Sequence, residues 1–218
     1  MPDVVLLTCE HASNVVPRGF SPRIPKALLE SHRGYDIGAK EYACAIAQAT
    51  GWPLFCGSVT RLVIDLNRSV PGAGRIEKRY YQPFRSTVLS WVRRQISSGN
   101  RVLHLSCHSF TPVLNGVVRP VDVGILYDPK RAREKAFAGE IIRALRAETS
   151  MRILANAPYK GVSDGHVTAL RNLFPKECYL GLELEVNQSL FSQPQKALWM
   201  YVWLPRLIEA INGKKHAR

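Results

Sequence analysis

The sequence predicts a single three-layer α/β domain over residues 1–218, with a mixed and mostly parallel central sheet. Short apolar runs typical of strands alternate with amphipathic stretches typical of helices. This alternation shows no repeat period, and no linker divides the chain. A chain of 218 residues is also large enough to bury one substantial core.

The strands are predicted from short apolar runs. Asp3–Cys9 is a continuous run of the kind that is buried on both faces of a parallel sheet, and Arg101–Phe110 begins similarly but ends in polar residues. The remaining predicted strands are Pro53–Cys56, Leu62–Leu66, Val121–Leu126, Arg152–Ala155 and Tyr179–Val186. Open α/β sheets bind ligands beyond the carboxyl ends of their strands, so polar residues at these ends are the first candidates for a site.

The helices are predicted from apolar residues at helical spacing. In a helix from Asp36 to about Thr50, Ala39 and Ile46 fall on one stripe, Asp36 is the N-cap, and Gly51 follows the end. Further helices are expected at Pro25–Ser31, Ser86–Ser97, Ala132–Ala147 and Gln193–Ile211. The predicted loops include Arg75–Arg85, Thr111–Pro120 and Asn156–Thr168. The first of these loops is a candidate for covering a substrate.

The net charge of +13 favours anionic partners. The basic residues are scattered, however, and their only cluster is Gly213–Arg218. Because no nucleic-acid-binding motif accompanies them, a nucleic-acid partner is not expected, and a small acidic substrate is the more economical interpretation. No oligomeric state is predicted.

The chain is expected to be cytoplasmic and without a membrane span. No apolar run approaches the roughly 18 residues that a spanning helix needs, and the opening residues lack the basic region of a signal peptide. The five cysteines form an odd set without a CxxC pair, which argues against both a disulfide framework and a cysteine zinc site.

Polar side chains gather at the predicted strand ends. In Arg101–Phe110, His104, Ser106 and His108 share one face, and His108 lies at the end of the strand. Other such groups are Glu10 with His11, residues 65–68, and Glu183 with Glu185. We therefore expect these groups to meet at one edge of the sheet.

Zinc suits such a set, because imidazole and carboxylate groups bind it well and catalytic zinc sites use three protein ligands. A further acid nearby would act as general base on a water molecule. His11, Asp36, His108 and Glu185 fit this scheme, although no HExxH motif is present.

Seven segments in chain order resemble the N-formylglutamate amidohydrolase family. They are CEHAS (9–13), DIGAKEYA (36–43), SVTRLVIDLNR (58–68), HLSCHSF (104–110), RPVDVGIL (119–126), ANAPYKG (155–161) and LELEVNQ (182–188). The resemblance implies a zinc-dependent hydrolase with a phosphorylase/hydrolase-like α/β fold. That family cleaves N-formyl-L-glutamate to formate and glutamate in histidine breakdown.

A more distant likeness to zinc-dependent N-acetylmuramoyl-L-alanine amidases implies roles for individual residues. His11 and His108 correspond to metal ligands, Asp36 to the acidic ligand, and Glu185 to the base that takes a proton from water and passes it to the leaving amine. Glu10 and Glu41 are rival acidic ligands. Thr60 and Arg61 correspond to a Thr-Arg pair in the same amidases.

The remaining assignments concern substrate binding and support. Arg68 is the first candidate for binding a substrate carboxylate, with Asn67 and Arg61 as further substrate-binding residues. The alternative for Arg68 is a buried clamp paired with Asp65. Glu183 and Glu10 are expected to contact the metal ligands, or the zinc site, without binding the metal themselves. His104 is assigned to the core or to the same support, and His166 to a surface loop without a role.

Departures from the family pattern surround the predicted pocket mouth, including the opening CEHAS and Gln188. The substrate therefore stays open between formylglutamate, another N-acyl amino acid and a small amide. Two alternative functions are an amidase of peptidoglycan fragments and a non-catalytic protein that binds anions or nucleic acid.

Overall fold

The structure is a computed structural model that describes residues 2–20, 23–70, 72, 74–191 and 207. Its centre is a six-stranded sheet in the order β2-β1-β3-β8-β6-β7. These strands are β1 (Val4–Cys9), β2 (Leu54–Cys56), β3 (Val102–Phe110), β6 (Val123–Leu126), β7 (Ile153–Ala155) and β8 (Tyr179–Asn187). Strands β2, β1, β3 and β8 run parallel, whereas β6 is antiparallel to β8 and parallel to β7. The predicted mixed, mostly parallel sheet is confirmed.

Five α-helices and two shorter helical turns are present among the described residues. The helices are α1 (Lys26–Leu29), α2 (Ala39–Thr50), α3 (Gln82–Ser97), α4 (Ala132–Glu148) and α5 (His166–Leu173). A π-helical turn, Glu77–Tyr81, precedes α3, and a 3₁₀ turn, Gln188–Leu190, follows β8. The predicted last helix, Gln193–Ile211, lies outside the described residues except for Leu207, which is helical and buried. No described helix combines the length and the apolar character that crossing a membrane requires.

The two faces of the central strands differ in chemistry. On one face, alternate residues such as Leu103, Leu105 and Cys107 form the main core with α2 and α4. On the other face, Leu6 and Val102 pack with residues of α3 and α5, but only towards the amino ends of the strands. Beyond them this second face becomes polar, and the candidate site lies there.

Two predicted segments pack differently from expectation because they share a small apolar cluster. Leu62–Leu66 is not a strand: the backbone N–H groups of Val63 and Ile64 donate to the carbonyl of Thr60, forming a turn. The segment Arg75–Arg85 is not a loop but enters a π-helical turn and the start of α3. Its aromatic residues pack on the turn, so the predicted covering loop is wrong.

Three further boundaries were predicted wrongly. The segment Thr111–Pro120 contains a short hairpin of β4 (Val113–Leu114) and β5 (Val117–Val118). Helix α5 begins inside the predicted loop Asn156–Thr168. Helix α2 begins at Ala39 after Gly38, whose φ of 81° is left-handed, so Asp36 is not its N-cap.

Gly124 of β6 allows the loop after β7 to lie against the sheet beside Glu185. A Cβ atom at this position would collide with the carbonyl oxygen of Ala157 and would lie 3.3 Å from the Cβ of Glu185. Gly124→Ala is therefore expected to lower the free energy of unfolding by about 1–3 kcal/mol, measured by urea denaturation.

Gly139 is a matched control for that substitution, because it lies in α4 and no described atom outside the backbone of that helix lies within 4 Å of the position of its missing Cβ. Gly139→Ala is expected to stabilise the protein by up to about 1 kcal/mol through helix propensity. Equal effects of the two substitutions would contradict the close approach at Gly124.

Candidate active site

Three neighbouring parallel strands deliver the polar residues of the site to one edge of the sheet. β1 ends just before Glu10 and His11, while β3 contributes His108 and β8 contributes Glu185. His108 and Glu185 are direct neighbours in the β3–β8 register. Asp36 arrives from the segment before α2, where its backbone N–H donates to the carbonyl of His11.

His11, Asp36 and His108 converge on one point. The Nδ1 atoms of the two histidines lie 3.3 and 2.8 Å, respectively, from Oδ2 of Asp36. All three side chains are buried, and their potential ligand atoms lie within 4.8 Å of one another. Two imidazole nitrogens and one carboxylate oxygen form a donor set that suits zinc, so these residues fit the predicted metal.

A second carboxylate, that of Asp65, fixes the far side of the His11 ring. Its Oδ1 lies 2.7 Å from Nε2 of His11. Arg61 bridges the two acids, since Nη1 donates to Asp36 over 3.3 Å and Nη2 to Asp65 over 3.0 Å. The arrangement resembles the carboxylate–histidine pairs that orient metal-binding imidazoles.

The charges of this cluster stabilise one another. Burial alone would raise the pKa of Asp36, but the neighbouring His11 and His108 hold it well below its ordinary value. Burial would likewise lower the pKa of His108, but the hydrogen bond and charge of Asp36 raise it to about 10. Without a cation, His108 is therefore protonated at neutral pH.

Glu185 carries a carboxyl oxygen without a hydrogen-bond partner. Its Oε2 is buried and unpaired among the described residues. Burial raises the pKa of Glu185 to about 8, despite the opposing charge of His108. Burial also raises the pKa of Glu183, which lies two residues earlier on the same face. An unpaired carboxyl group of raised pKa is suited to taking and returning a proton.

The structure distinguishes the rival acidic ligands. Glu41 is exposed on α2, whereas the two histidines are buried. Glu10 is buried on the Nε2 side of His108, where it accepts hydrogen bonds from the hydroxyl groups of Thr8 and Ser106. Asp36 is thus the acid that meets both imidazole Nδ1 atoms.

His11, Asp36, His108 and Glu185 border a cavity of about 140 Å³. Among the described residues that line it, two are histidines, four carry carboxylates, three are cationic, and one, Leu126, is aliphatic. The lining residues outside the cluster of His11, Asp36 and His108 are Arg61, Asn67, Arg68, Ser109, Leu126, Tyr159, Lys160, Ser163, Asp164, Glu183 and Glu185. A cavity of this size and polarity suits a small, charged ligand.

The proposed substrate-binding residues all line the cavity, but they differ in how they are held. The amide of Asn67 is used within the protein: Oδ1 accepts the backbone N–H of His166, and Nδ2 lies 3.3 Å from His108 Nε2. Arg68 donates from Nη1 to the carbonyl oxygens of Asn67 and Asp164. The alternative partner for Arg68, Asp65, is bound instead to His11 and Arg61.

The assignment of His166 to the surface is wrong. It is 1% exposed, and its Nδ1 lies 2.9 Å from Oε1 of Glu10. Sequence analysis also missed Asp65 as the partner of His11, although Asp65 stands two residues before the Asn67 that was selected. No local pattern marks His166, because its partner lies 156 residues away in the chain.

The mixed sheet and the polar cavity beyond the carboxyl ends of its parallel strands define the class of the protein: an α/β protein with a ligand site at that edge. The sequence specifies the family. The chain belongs to the N-formylglutamate amidohydrolase family, whose model matches residues 4–75 and 71–192. The resemblance noted from the sequence motifs is confirmed.

Two known structures, those with TM-scores above 0.7, share this fold. The gene product Atu2144 from Agrobacterium tumefaciens is 24% identical with a TM-score of 0.79, covering 99% of this chain and 93% of that chain. The N-formylglutamate amidohydrolase from Ralstonia eutropha JMP134 is 17% identical with a TM-score of 0.74, covering 99% and 97%. The N-acetylmuramyl-L-alanine amidase Ami1 from Mycobacterium abscessus is 8% identical with a TM-score of 0.43, covering 98% and 99%. A search of curated proteins finds no match.

Proposed function

We propose that this protein is a zinc-dependent amidohydrolase that cleaves the amide of a small N-acyl amino acid such as N-formyl-L-glutamate. The observation that carries the proposal is the convergence of His11, Asp36 and His108 in the same small cavity as the unpaired carboxyl oxygen of Glu185. Membership of the N-formylglutamate amidohydrolase family supports the reaction type.

In this proposal, His11 Nδ1, Asp36 Oδ2 and His108 Nδ1 hold the zinc ion. When bound, zinc supplies Lewis acidity at the scissile carbonyl and lowers the pKa of water. In its ionised form, Glu185 takes a proton from the attacking water while the water oxygen bonds to the acyl carbon. It returns that proton to the amine nitrogen as the C–N bond breaks, which releases the acid and the amino acid. Glu183 supports this group from the same strand.

The substrate is proposed to be small and acidic because the cavity holds about 140 Å³ and carries cationic groups at Arg61, Arg68 and Lys160. We also propose that the chain forms one domain over residues 1–218, and that it acts in the cytoplasm in a formyl-removing step of histidine breakdown. The five free cysteines fit a reducing compartment.

The test is a measurement of metal content together with a hydrolysis screen. N-formyl and N-acetyl amino acids are incubated with the protein and added Zn²⁺, and the released amine is quantified. Near-stoichiometric zinc and release of one amino acid are expected. Metal-free protein that is inactive on every acyl amino acid and binds DNA with a steep salt dependence would instead favour the non-catalytic alternative. Activity confined to peptidoglycan fragments would favour the other alternative, an amidase that acts on such fragments.

Zinc binding is expected to release about one proton from His108 at pH 7, because this imidazole must lose its Nδ1 proton to bind the metal. Its pKa of about 10 without a cation means that the proton is present at pH 7, so zinc affinity rises as the pH rises towards 10. Titration calorimetry in two buffers of different ionisation enthalpy measures the released protons. Identical apparent enthalpies in the two buffers would contradict this prediction.

Arg68 is expected to bind the substrate carboxylate. Arg68→Ala should raise KM for an acidic N-acyl amino acid by about 10–100-fold, the usual range for losing a charged hydrogen bond. The control is the same variant with a neutral substrate, such as the side-chain amide of the acidic one, for which KM should change much less. Equal losses with both substrates would assign Arg68 to holding residues Asn67 and Asp164 in place.

A further inference from the structure

Glu10 is a buried carboxylate that lies beside Nε2 of His108 and is not among the residues lining the cavity. Its Oε1 lies 2.8 Å from the Thr8 hydroxyl and 2.9 Å from Nδ1 of His166, and its Oε2 lies 2.7 Å from the Ser106 hydroxyl. Burying a carboxylate is costly unless it is fully hydrogen-bonded. With three donors around it, Glu10 is held as an ionised acceptor.

The directions of these hydrogen bonds determine which nitrogen of His108 keeps its hydrogen when the other binds a metal. The Ser106 hydroxyl has one hydrogen, and it donates this hydrogen to Glu10. Ser106 Oγ also lies 2.9 Å from Nε2 of His108. Since Ser106 is able only to accept at this second contact, Nε2 is the donor.

Two further groups lie near Nε2, and they differ in direction. Glu10 Oε2 lies 3.4 Å from Nε2 and is also an acceptor. The Asn67 amide nitrogen, 3.3 Å from Nε2, is a donor because Oδ1 of the same amide accepts the backbone N–H of His166, so it is the one contact that opposes a hydrogen on Nε2. It is longer than the 2.9 Å contact to Ser106 Oγ, which therefore sets the direction. With the hydrogen on Nε2, the Nδ1 atom that faces Asp36 is left to bind a metal.

His166 supplies the imidazole donor to Glu10, and its ring also packs against Phe84 and His104, contacts that an apolar side chain would make equally well. Its Nε2 is buried without a hydrogen-bond partner among the described residues. A buried unpaired nitrogen costs free energy, so an apolar side chain would be the more stable choice for packing alone. The imidazole at this position is explained by its Nδ1 bond to Glu10.

We propose that Glu10 and His166 are positioning residues that act through Ser106 to fix the tautomer of His108, and so direct its Nδ1 to the metal. The proposal deepens the proposed function and rests on the same metal site. His166 keeps Glu10 in place as an acceptor, Glu10 takes the Ser106 hydrogen, and Ser106 accepts from His108. Neither Glu10 nor His166 touches substrate or metal.

The test compares the zinc affinities of two His166 variants by competition with a chromogenic chelator. In His166→Asn, the side-chain amide nitrogen replaces Nδ1 as donor, whereas His166→Leu removes the donor. His166→Leu is expected to weaken zinc binding by about 10-fold, the lower end of the range for losing a direct outer partner of a ligand, because His166 acts through Glu10 and Ser106. His166→Asn is expected to retain most of the affinity.

His104 provides the matched control. It is as buried as His166 and lies 5.8 Å away between ring centroids, but its nitrogens contact Thr8 and Tyr179 instead of Glu10. His104→Leu is expected to leave zinc affinity nearly unchanged even if it lowers the thermal stability. Equal weakening by His104→Leu and His166→Leu, or no weakening by His166→Leu, would overturn the proposal.

Glu10→Gln keeps the experiment decisive if His166→Leu does not fold. The amide preserves shape but removes the charge that takes the Ser106 hydrogen, so zinc binding should weaken by a similar factor. Unchanged affinity in this folded variant would also overturn the proposal. If the unaltered protein binds zinc without hydrolysing any amide, the proposed function fails while the positioning role stands. If it binds no zinc, the metal site itself is wrong.

Discussion

Glu185→Gln is expected to reduce turnover by about 10²–10⁴-fold while zinc stays bound. The glutamine amide fills the same space but is unable to accept and return a proton, and Glu185 is not among the three residues that converge as ligands. The measurements are kcat for the acyl amino acid found in the screen and metal content by elemental analysis.

Glu183→Gln is the matched control for Glu185. It lies on the same strand and face, is similarly buried, and has a pKa raised by the same cause, burial. Its substitution is expected to cost clearly less turnover. Unchanged turnover in Glu185→Gln, or a larger loss in Glu183→Gln, would move the role of base away from Glu185.

His108→Ala is expected to remove both zinc and activity. One of three ligands is lost, so zinc affinity should fall beyond the roughly 100-fold limit that is typical for losing an outer partner. Elemental analysis after dialysis measures the metal, and the hydrolysis assay measures the activity.

His104→Ala is the corresponding control, because it lies on the same face of β3, four residues earlier, and is fully buried. It should lower stability without removing zinc. Activity that survives His108→Ala would contradict the proposed metal site, whatever the stability of the two variants.

The sequence predicts the sheet and much of the site because both depend on local alternation. His108, Glu183 and Glu185 lie at strand ends that apolar runs reveal, and parallel strands bring such ends to one edge. The segment Arg75–Arg85 was predicted as a loop because its polar composition hides aromatic residues that pack on a distant turn. The role of His166 depends on a partner 156 residues away and is not visible in any short window.

Successive residues of β3 and β8 point alternately into the main core and into the site, so neighbouring positions contribute to stability and to chemistry in turn. Cys107 and Leu184 stand in the main core, whereas their neighbours His108 and Glu185 stand in the site. Substitutions at the first set should therefore tune resistance to denaturation, and substitutions at the second should tune reactivity. Thermal stability and substrate specificity are therefore two nearly independent design variables within the same strands.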